Sequence, residues 1–365
     1  MTIDGLTPAR IFQPESIQEL SEHLSKERES VVAVGALTQQ DFGNPLKRFH
    51  CALDLTKLNQ VNEYVPADLT IHIQAGVRLG DLQRLLEENH QFLPIDPWNG
   101  PSATIGGIAA TNAQGPYRAT GTIRDWIIGM TVVEASGRVS KAGGRVVKNV
   151  TGYDLSRLYS GSYGTLAAIT EVSLKLVATD ERTRTMRLAG SRSDLERIAL
   201  ELRGALPLEA IVLATGERPA LYVRAAGLAS AVDRVSAEVA RRGRFDDVAE
   251  ADWAALFARL TREPFVARLA VPPGREAALV DGDGVAYVGA GAAFLFGERA
   301  AAEIAAIRAS AEGLGGALIV ERAPADLKRA VGVWGNARAT HPAVAIALKE
   351  RFDPHGVLAP GRFPA

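Results

Sequence analysis

A chain of 365 residues, 47% hydrophobic and 23% charged, is long enough for two or three core-forming units, and its net charge of −1 gives no electrostatic footprint for nucleic acid or an anionic membrane. Its apolar runs stop well short of a membrane span, and Met1 to Arg10 lack the basic start and hydrophobic core of a signal peptide. A single cysteine, Cys51, excludes an internal disulfide and an iron–sulfur cluster of the chain's own, so a reducing, cytoplasmic compartment is expected.

Pro14 and Glu15 open a predicted helix running to about Lys26, with Ile17, Leu20 and Leu24 on one face. Val31 to Val34 reads as a short buried strand that runs into Gly35. Thr70 to Ala75 alternates as a strand ended by Gly76, and Leu79 to Asn89 is an amphipathic helix with Leu82, Leu85 and Leu86 inward. Trp126 to Ala135 is a strand, Ser136-Gly137 a hairpin turn, and Leu166 to Val177 the last strand of this part.

From about residue 179 the composition shifts toward alanine and arginine. Strand-like pieces (209–214, 220–223, 264–271, 284–296, 316–320) alternate with helical ones (193–203, 230–241, 252–260, 299–311). That order predicts an α+β domain, a sheet with helices on one face. A final helix, Pro342 to Arg351, precedes a Pro- and Gly-rich tail expected to be docked rather than free.

Two glycine-rich stretches carry the chemistry. One runs from Gly143 through Lys148, Asn149, Gly152 and Asp154 and is closed by Gly161-Ser162-Tyr163-Gly164-Thr165-Leu166; the other is Pro101-Ser102-Ala103-Thr104-Ile105-Gly106-Gly107. Glycine lets main chain approach a ligand where a Cβ would not fit. Together they point to one long, flat, phosphate-bearing ligand in an α/β body. Gly289-Ala290-Gly291 lacks the third glycine of a dinucleotide fingerprint and sits in a run better read as a hairpin. There is no GxxxxGK[ST] motif, and the six histidines show no HxH or HExxH spacing, so no metal site is expected.

The loops resemble those of the vanillyl-alcohol-oxidase superfamily, the p-cresol-methylhydroxylase (PCMH) type of FAD-binding domain. The likeness lies in Val65-Pro66-Ala67-Asp68-Leu69-Thr70, Ala75-Gly76-Val77, Thr104-Ile105-Gly106-Gly107, Ala110-Thr111-Asn112, Gly121-Thr122-Ile123-Arg124-Asp125 and Gly161-Ser162-x-Gly164-Thr165-Leu166. Within it, Lys148-Asn149-Val150-x-Gly152-Tyr153-Asp154-Leu155 and Phe352-Asp353-Pro354-x-Gly356-Val357-Leu358-x-Pro360-Gly361-Arg362 are similar to the FAD-binding subunits of bacterial glycolate oxidase (glycolate dehydrogenase). The resemblance implies an α+β fold class: a PCMH-type two-subdomain FAD-binding domain at 8–178, a small α+β cap domain at 179–340, and a segment at 341–365 that returns to the FAD domain.

It also implies a site. Gly35, Ala36, Leu37, Thr38 and Gln39 would form the first pyrophosphate loop, where successive backbone N–H groups make an anion-binding hollow. Pro101, Ser102, Ala103, Thr104, Gly106, Gly107, Thr111 and Asn112 would run along the pyrophosphate and ribityl chain, with Gly121 and Ile169 at the ribityl and adenine ends. Lys148 and Asn149 lie on the stretch expected to reach toward the isoalloxazine. Leu37 stands where the family commonly has a second glycine, so either the loop has relaxed to ordinary φ or flavin binding is weakened. The loop carries no histidine for a covalent link and Cys51 fits no cysteinyl pattern, so the flavin is expected to be non-covalent FAD.

Oxidising a 2-hydroxy acid needs a cation for the carboxylate and a base for the hydroxyl. Arg268, Arg338 and Arg362 are candidates for the first, His341 and His355 for the second. The resemblance implies an FAD-dependent oxidoreductase subunit, oxidising glycolate or relaying its electrons. Its partners would be a larger paralogous flavoprotein subunit and an iron–sulfur subunit, placing it in the cytoplasm or at the inner membrane through them. A stand-alone FAD oxidoreductase and a non-catalytic subunit with a decayed flavin site are the rival readings.

Overall fold

The computed structural model describes residues 1–98, 100–144, 154–335 and 342–363. These form two compact units: Met1–Gln114, Gly121–Thr179 and Thr340–Ala365 make the first, and Gly115–Thr120 with Asp180–Ala339 the second.

The first unit holds two main sheets. In one, β1 (Arg10–Phe12) and β2 (Val31–Val34) flank β3 (Cys51–Asp54), all parallel. α1 (Ile17–Lys26) links β1 to β2 and buries Leu20 and Leu24 completely. It begins three residues after Pro14, because the Ser16 side chain accepts the Glu19 N–H at 3.1 Å and so caps the first turn. The tail joins this layer: Val31 N–H donates to the Val357 carbonyl at 2.8 Å, and Ala359 N–H donates to that of Val31 at 2.7 Å.

The other sheet is antiparallel, in the order β4 (Val61–Val65), β5 (Thr70–Gln74), β9 (Ala167–Lys175), β7 (Ile127–Glu134), β8 (Val139–Gly143). α2 (Leu79–Glu87), followed by the short strand β6 (Gln91–Phe92) of a separate two-stranded pair, and α3 (Ile105–Thr111) bury Leu82, Leu86, Ile105 and Ile108 against it. Three expectations are corrected here. Trp126 ends a short helix, α4 (Ile123–Trp126), rather than starting β7, because Thr122 and Asp125 form a reciprocal capping box. β1, β3 and β4, unrecognised in the sequence, are short pieces without clear alternation. The second glycine-rich stretch is only half loop: from Ile105 it is helical, capped by Thr104.

After β10 (Val177–Ala178) the second unit begins. It is built on one eight-stranded antiparallel sheet from β11 (Arg182–Ala189), β12 (Ala210–Ala214), β13 (Ala220–Gly227), β14 (Asp246–Val248), β15 (Val266–Ala270), β16 (Gly284–Tyr287), β17 (Ala292–Phe296) and β18 (Ala317–Arg322), in the order β14-β11-β13-β12-β16-β17-β15-β18. β16 and β17 pair as the expected hairpin around Gly289. Helices cover both faces, not one. Leu221 and Val223 pack with Leu195 and Val232 of α6 (Arg192–Ala205) and α7 (Ala229–Ala240). Tyr222 and Arg224, pointing the other way by the two-residue period, meet Trp253 of α8 (Glu250–Ala258) at 6.3 and 5.4 Å.

The C-terminal helix Pro342–Phe352 returns to the first unit through Lys349. Its ammonium donates to the carbonyls of Thr165 (2.8 Å) and Leu358 (2.7 Å) and pairs with Asp353, which is 2% exposed. Burial lowers the Lys349 pKa against the pull of Asp353. Replacing Lys349 by Met would strand a buried carboxylate, so urea denaturation is expected to show a loss of about 3 kcal/mol.

Candidate functional site

The first unit contains an open pocket. One wall is the turn after β2, Gly35 to Gln40; the facing wall is α3, through Thr104, Gly106, Gly107, Ala110 and Thr111; β9 supplies Ala167 and Ile169. The walls meet because glycines allow it. A Cβ on Gly35 would stand 2.3 Å from Thr104 Oγ1, and one on Gly106 2.7 Å from the Ala75 Cβ. Gly107 and Gly164 also line the pocket and are less crowded: a Cβ on Gly107 would touch Thr104 Oγ1 at 3.1 Å, and one on Gly164 would lie 3.9 Å from the Ala33 Cβ.

Leu37 keeps a left-handed backbone, φ +59°, and is 44% exposed. The loop has therefore not relaxed to ordinary φ; it holds the glycine-like conformation with a leucine in it. Such a residue turns consecutive N–H groups to one side, which is how a main-chain nest receives an oxyanion. Among the described residues no hydrogen bond uses the N–H of Ala36 or Leu37. Gln39 is buried, its Oε1 accepts the Thr111 hydroxyl, and its Nε2 has no partner.

Of the residues proposed from sequence, the pocket gathers Gly35, Ala36, Leu37, Thr38, Gln39, Thr104, Gly106, Gly107, Thr111 and Ile169. Pro101 and Ser102 lie outside its lining and are exposed, and Ala103 is buried behind it. Asn112 caps α3 in a left-handed turn with Oδ1 buried and unpartnered, and Gly121 packs near Asp125 and Trp126. Lys148 and Asn149 lie outside the described residues. Sequence reasoning missed Phe42 and the aromatic side of Tyr163, which line the pocket with ring centroids 6.4 Å apart. Phe42 had no signal, whereas Tyr163 sat inside a quoted motif.

The carboxylate and base candidates are not assembled. Arg268 is tied to Glu321 at 2.6 Å within the sheet of the second unit, where burial raises the Glu321 pKa despite that arginine. His355 is exposed in a turn. Arg338 and His341 lie outside the described residues. Arg362 does reach the pocket, but as a staple: it is 3% exposed and donates to Asp4 (2.9 Å) and to the carbonyls of Gln40 (2.5 Å) and Asn44 (3.2 Å). Burial lowers its pKa, and Asp4 opposes the shift.

Residues 8–143, which span both pocket walls, match the family described as FAD binding domain. The first unit carries an FAD-binding domain. Its architecture agrees with the solved structure of p-cresol methylhydroxylase with substrate bound, at a TM-score of 0.72 and 16% identity over 100% of this chain and 91% of that one. In sequence the chain is similar to glycolate oxidase subunit GlcE of Escherichia coli (strain K12), 37% identical over 137 residues, and to glycolate oxidase subunit GlcD of Bacillus subtilis (strain 168), 35% identical over 183 residues. The matches cover 37% and 49% of this chain and 39% of each relative.

The pocket of the FAD domain suits that cofactor. It offers backbone donors rather than a lysine for the pyrophosphate, an orphaned buried amide at Gln39, and glycine faces where a flat ligand would lie. Two variants test this fit. Gly107→Ala improves helix propensity by up to about 1 kcal/mol, so the apoprotein should keep or gain thermal stability. The same methyl enters the hollow, so FAD affinity measured by fluorescence quenching should fall about tenfold or more, a loss of roughly 1.4 kcal/mol. Leu37→Gly relieves a left-handed leucine and should stabilise the apoprotein in urea by about 1 kcal/mol.

Proposed function

We propose that the chain is the FAD-binding subunit of a glycolate oxidase-like complex, acting on a small 2-hydroxy acid with a larger flavoprotein subunit and an iron–sulfur subunit. The observation that supports it is the coincidence of two things. Both pocket walls lie within residues 8–143, which match an FAD-binding domain, and the chain is similar in sequence to two glycolate oxidase subunits.

Bound FAD would supply the hydride acceptor for a carbon bearing a hydroxyl. The chain's own contribution is binding. Ala36 and Leu37 would offer main-chain N–H groups to the pyrophosphate, Gln39 a side-chain amide, and Gly107 and Gly164 the open faces that let the ligand approach. Non-covalent attachment is part of the proposal, because no histidine or cysteine is among the described residues lining the pocket.

A relay role within a complex is favoured over independent turnover by Arg268 and Arg362. Each is committed to a carboxylate of the protein itself, so neither is poised to receive that of a substrate. Among the described residues no helix is long and apolar enough to cross a membrane, so any membrane association would come through partners.

The purified chain should show a flavin spectrum that is lost on acid precipitation, with the flavin in the supernatant. Anaerobic glycolate or D-lactate should leave that spectrum oxidised in the isolated chain and bleach it once the partner subunits are added. Bleaching of the isolated chain by either acid would replace the relay reading with direct catalysis, and a colourless chain that takes up no FAD would refute both.

A further inference from the structure

Away from the pocket, the layer formed by α1 and the parallel sheet of the first unit brings three ligand-type side chains together. His23 lies in the last turn of α1, Glu27 caps it one turn later, and Cys51 opens β3. Cys51 Sγ is 4.0 Å from His23 Nε2, and His23 Nε2 is 3.4 Å from Glu27 Oε2; the three ligand atoms all lie within 4.8 Å of one another. Cys51 is 0% exposed, Glu27 6%. From this geometry we infer a binding site for a zinc-class divalent cation at His23, Glu27 and Cys51, with Arg10 as the cation that fills it in the metal's absence.

The separations are the first argument. Bonds of about 2.3 Å to sulfur and about 2.0–2.2 Å to nitrogen and oxygen put tetrahedral ligands roughly 3.3–3.6 Å apart. The His23–Glu27 separation already falls in this range, the Cys51–His23 separation is a few tenths of an ångström above it, and Cys51 and Glu27, within 4.8 Å of each other, close by about an ångström at most. Its donors are thiolate, imidazole and carboxylate, the set a borderline-soft ion takes, and not the all-oxygen set of calcium or magnesium. Two ligands are also already oriented. Phe12 stacks on the His23 ring at 3.9 Å and 12°, and Glu27 Oε1 accepts the N–H groups of Arg28 and Glu29, both at 2.9 Å, which leaves Oε2 to face the trio.

Arg10 is the second argument. Its guanidinium sits on Glu27 Oε2 and acts on the Cys51 thiol, so a positive group already occupies this nearly closed corner. Arg10 stands opposite Cys51 in the β1–β3 register, yet its side chain is 48% exposed and is free to swing into solvent. Charge is conserved in the exchange. A divalent ion enters as Arg10 leaves and as the Cys51 thiol proton passes to buffer, so two positive charges replace two. Occupancy would clamp α1 to β3 beneath β2, the strand that runs into Gly35.

The experiment uses the full chain stripped by a chelator and titrated with Cd2+ and Zn2+. Cd2+ should give a thiolate charge-transfer band saturating at one equivalent, and Zn2+ should displace it and raise the melting temperature. Cys51→Ser should abolish the band, and His23→Asn should weaken binding by about tenfold to a hundredfold. Arg10→Gln, which removes the ion pair to the buried Glu27 but leaves that carboxylate its two backbone N–H bonds, should bind about tenfold tighter because the competing cation is gone. Absence of the band in both the wild type and Arg10→Gln would overturn the proposal. So would stoichiometric Zn2+ binding that survives Cys51→Ser, or unchanged affinity in Arg10→Gln.

Discussion

The first unit depends on main chains that approach each other more closely than side chains would permit. Gly35 lies against Thr104, Gly106 against Ala75, and Gly76 against the carbonyls of Leu55 and Leu58, where a Cβ would sit 2.5 and 2.6 Å away. These contacts fix the turn after β2 over the start of α3, and the hollow between them is the pocket. Packing this tight makes shape and composition inseparable: a methyl at Gly35 would stand 2.3 Å from Thr104 Oγ1 and displace it, whereas one at Gly107 would press on the same hydroxyl only lightly, at 3.1 Å. A site made of absent side chains is therefore set by which glycines face packing and which face the ligand.

Electrostatics plays a smaller part here than a dinucleotide's two negative charges might suggest. Arg362 is the cation among the described residues of the lining, and Asp4 already neutralises it. Attraction is left to oriented backbone dipoles, which need no desolvated lysine and no metal. The cost appears as strain at Leu37, a left-handed residue with a branched side chain. Elsewhere, ionic groups are used as fasteners. Lys349 with Asp353 and Arg268 with Glu321 each hold an element in place through a pair removed from water.

Much of this arrangement could be read from residue order. Ile17, Leu20 and Leu24, the alternation of Thr70 to Ala75, and the paired glycines at 106 and 107 each carry local signals that survive folding. The glycine-rich loops that line the pocket were legible because glycines at fixed spacing stand out in the sequence. Less was visible where distant segments decide the outcome. Phe42 lines the pocket only because the turn after β2 folds back, and Arg362 is a staple because Asp4, at the other end of the chain, meets it. His23, Glu27 and Cys51 show no ligand spacing, since helix and strand bring them together only after parallel pairing. Trp253 sits on the far face of its sheet because Tyr222 and Leu221 point to opposite sides, a distinction that composition cannot make.

The returning tail has a consequence for biogenesis. Val357 and Ala359 complete the hydrogen bonding of Val31, and Arg362 braces Gln40 and Asn44, yet all three are synthesised after the whole of the second unit. On the ribosome, every strand of the eight-stranded sheet is therefore synthesised before the residues that close the first unit. The parallel layer of the first unit therefore lacks its closing hydrogen bonds until residue 362 has been translated.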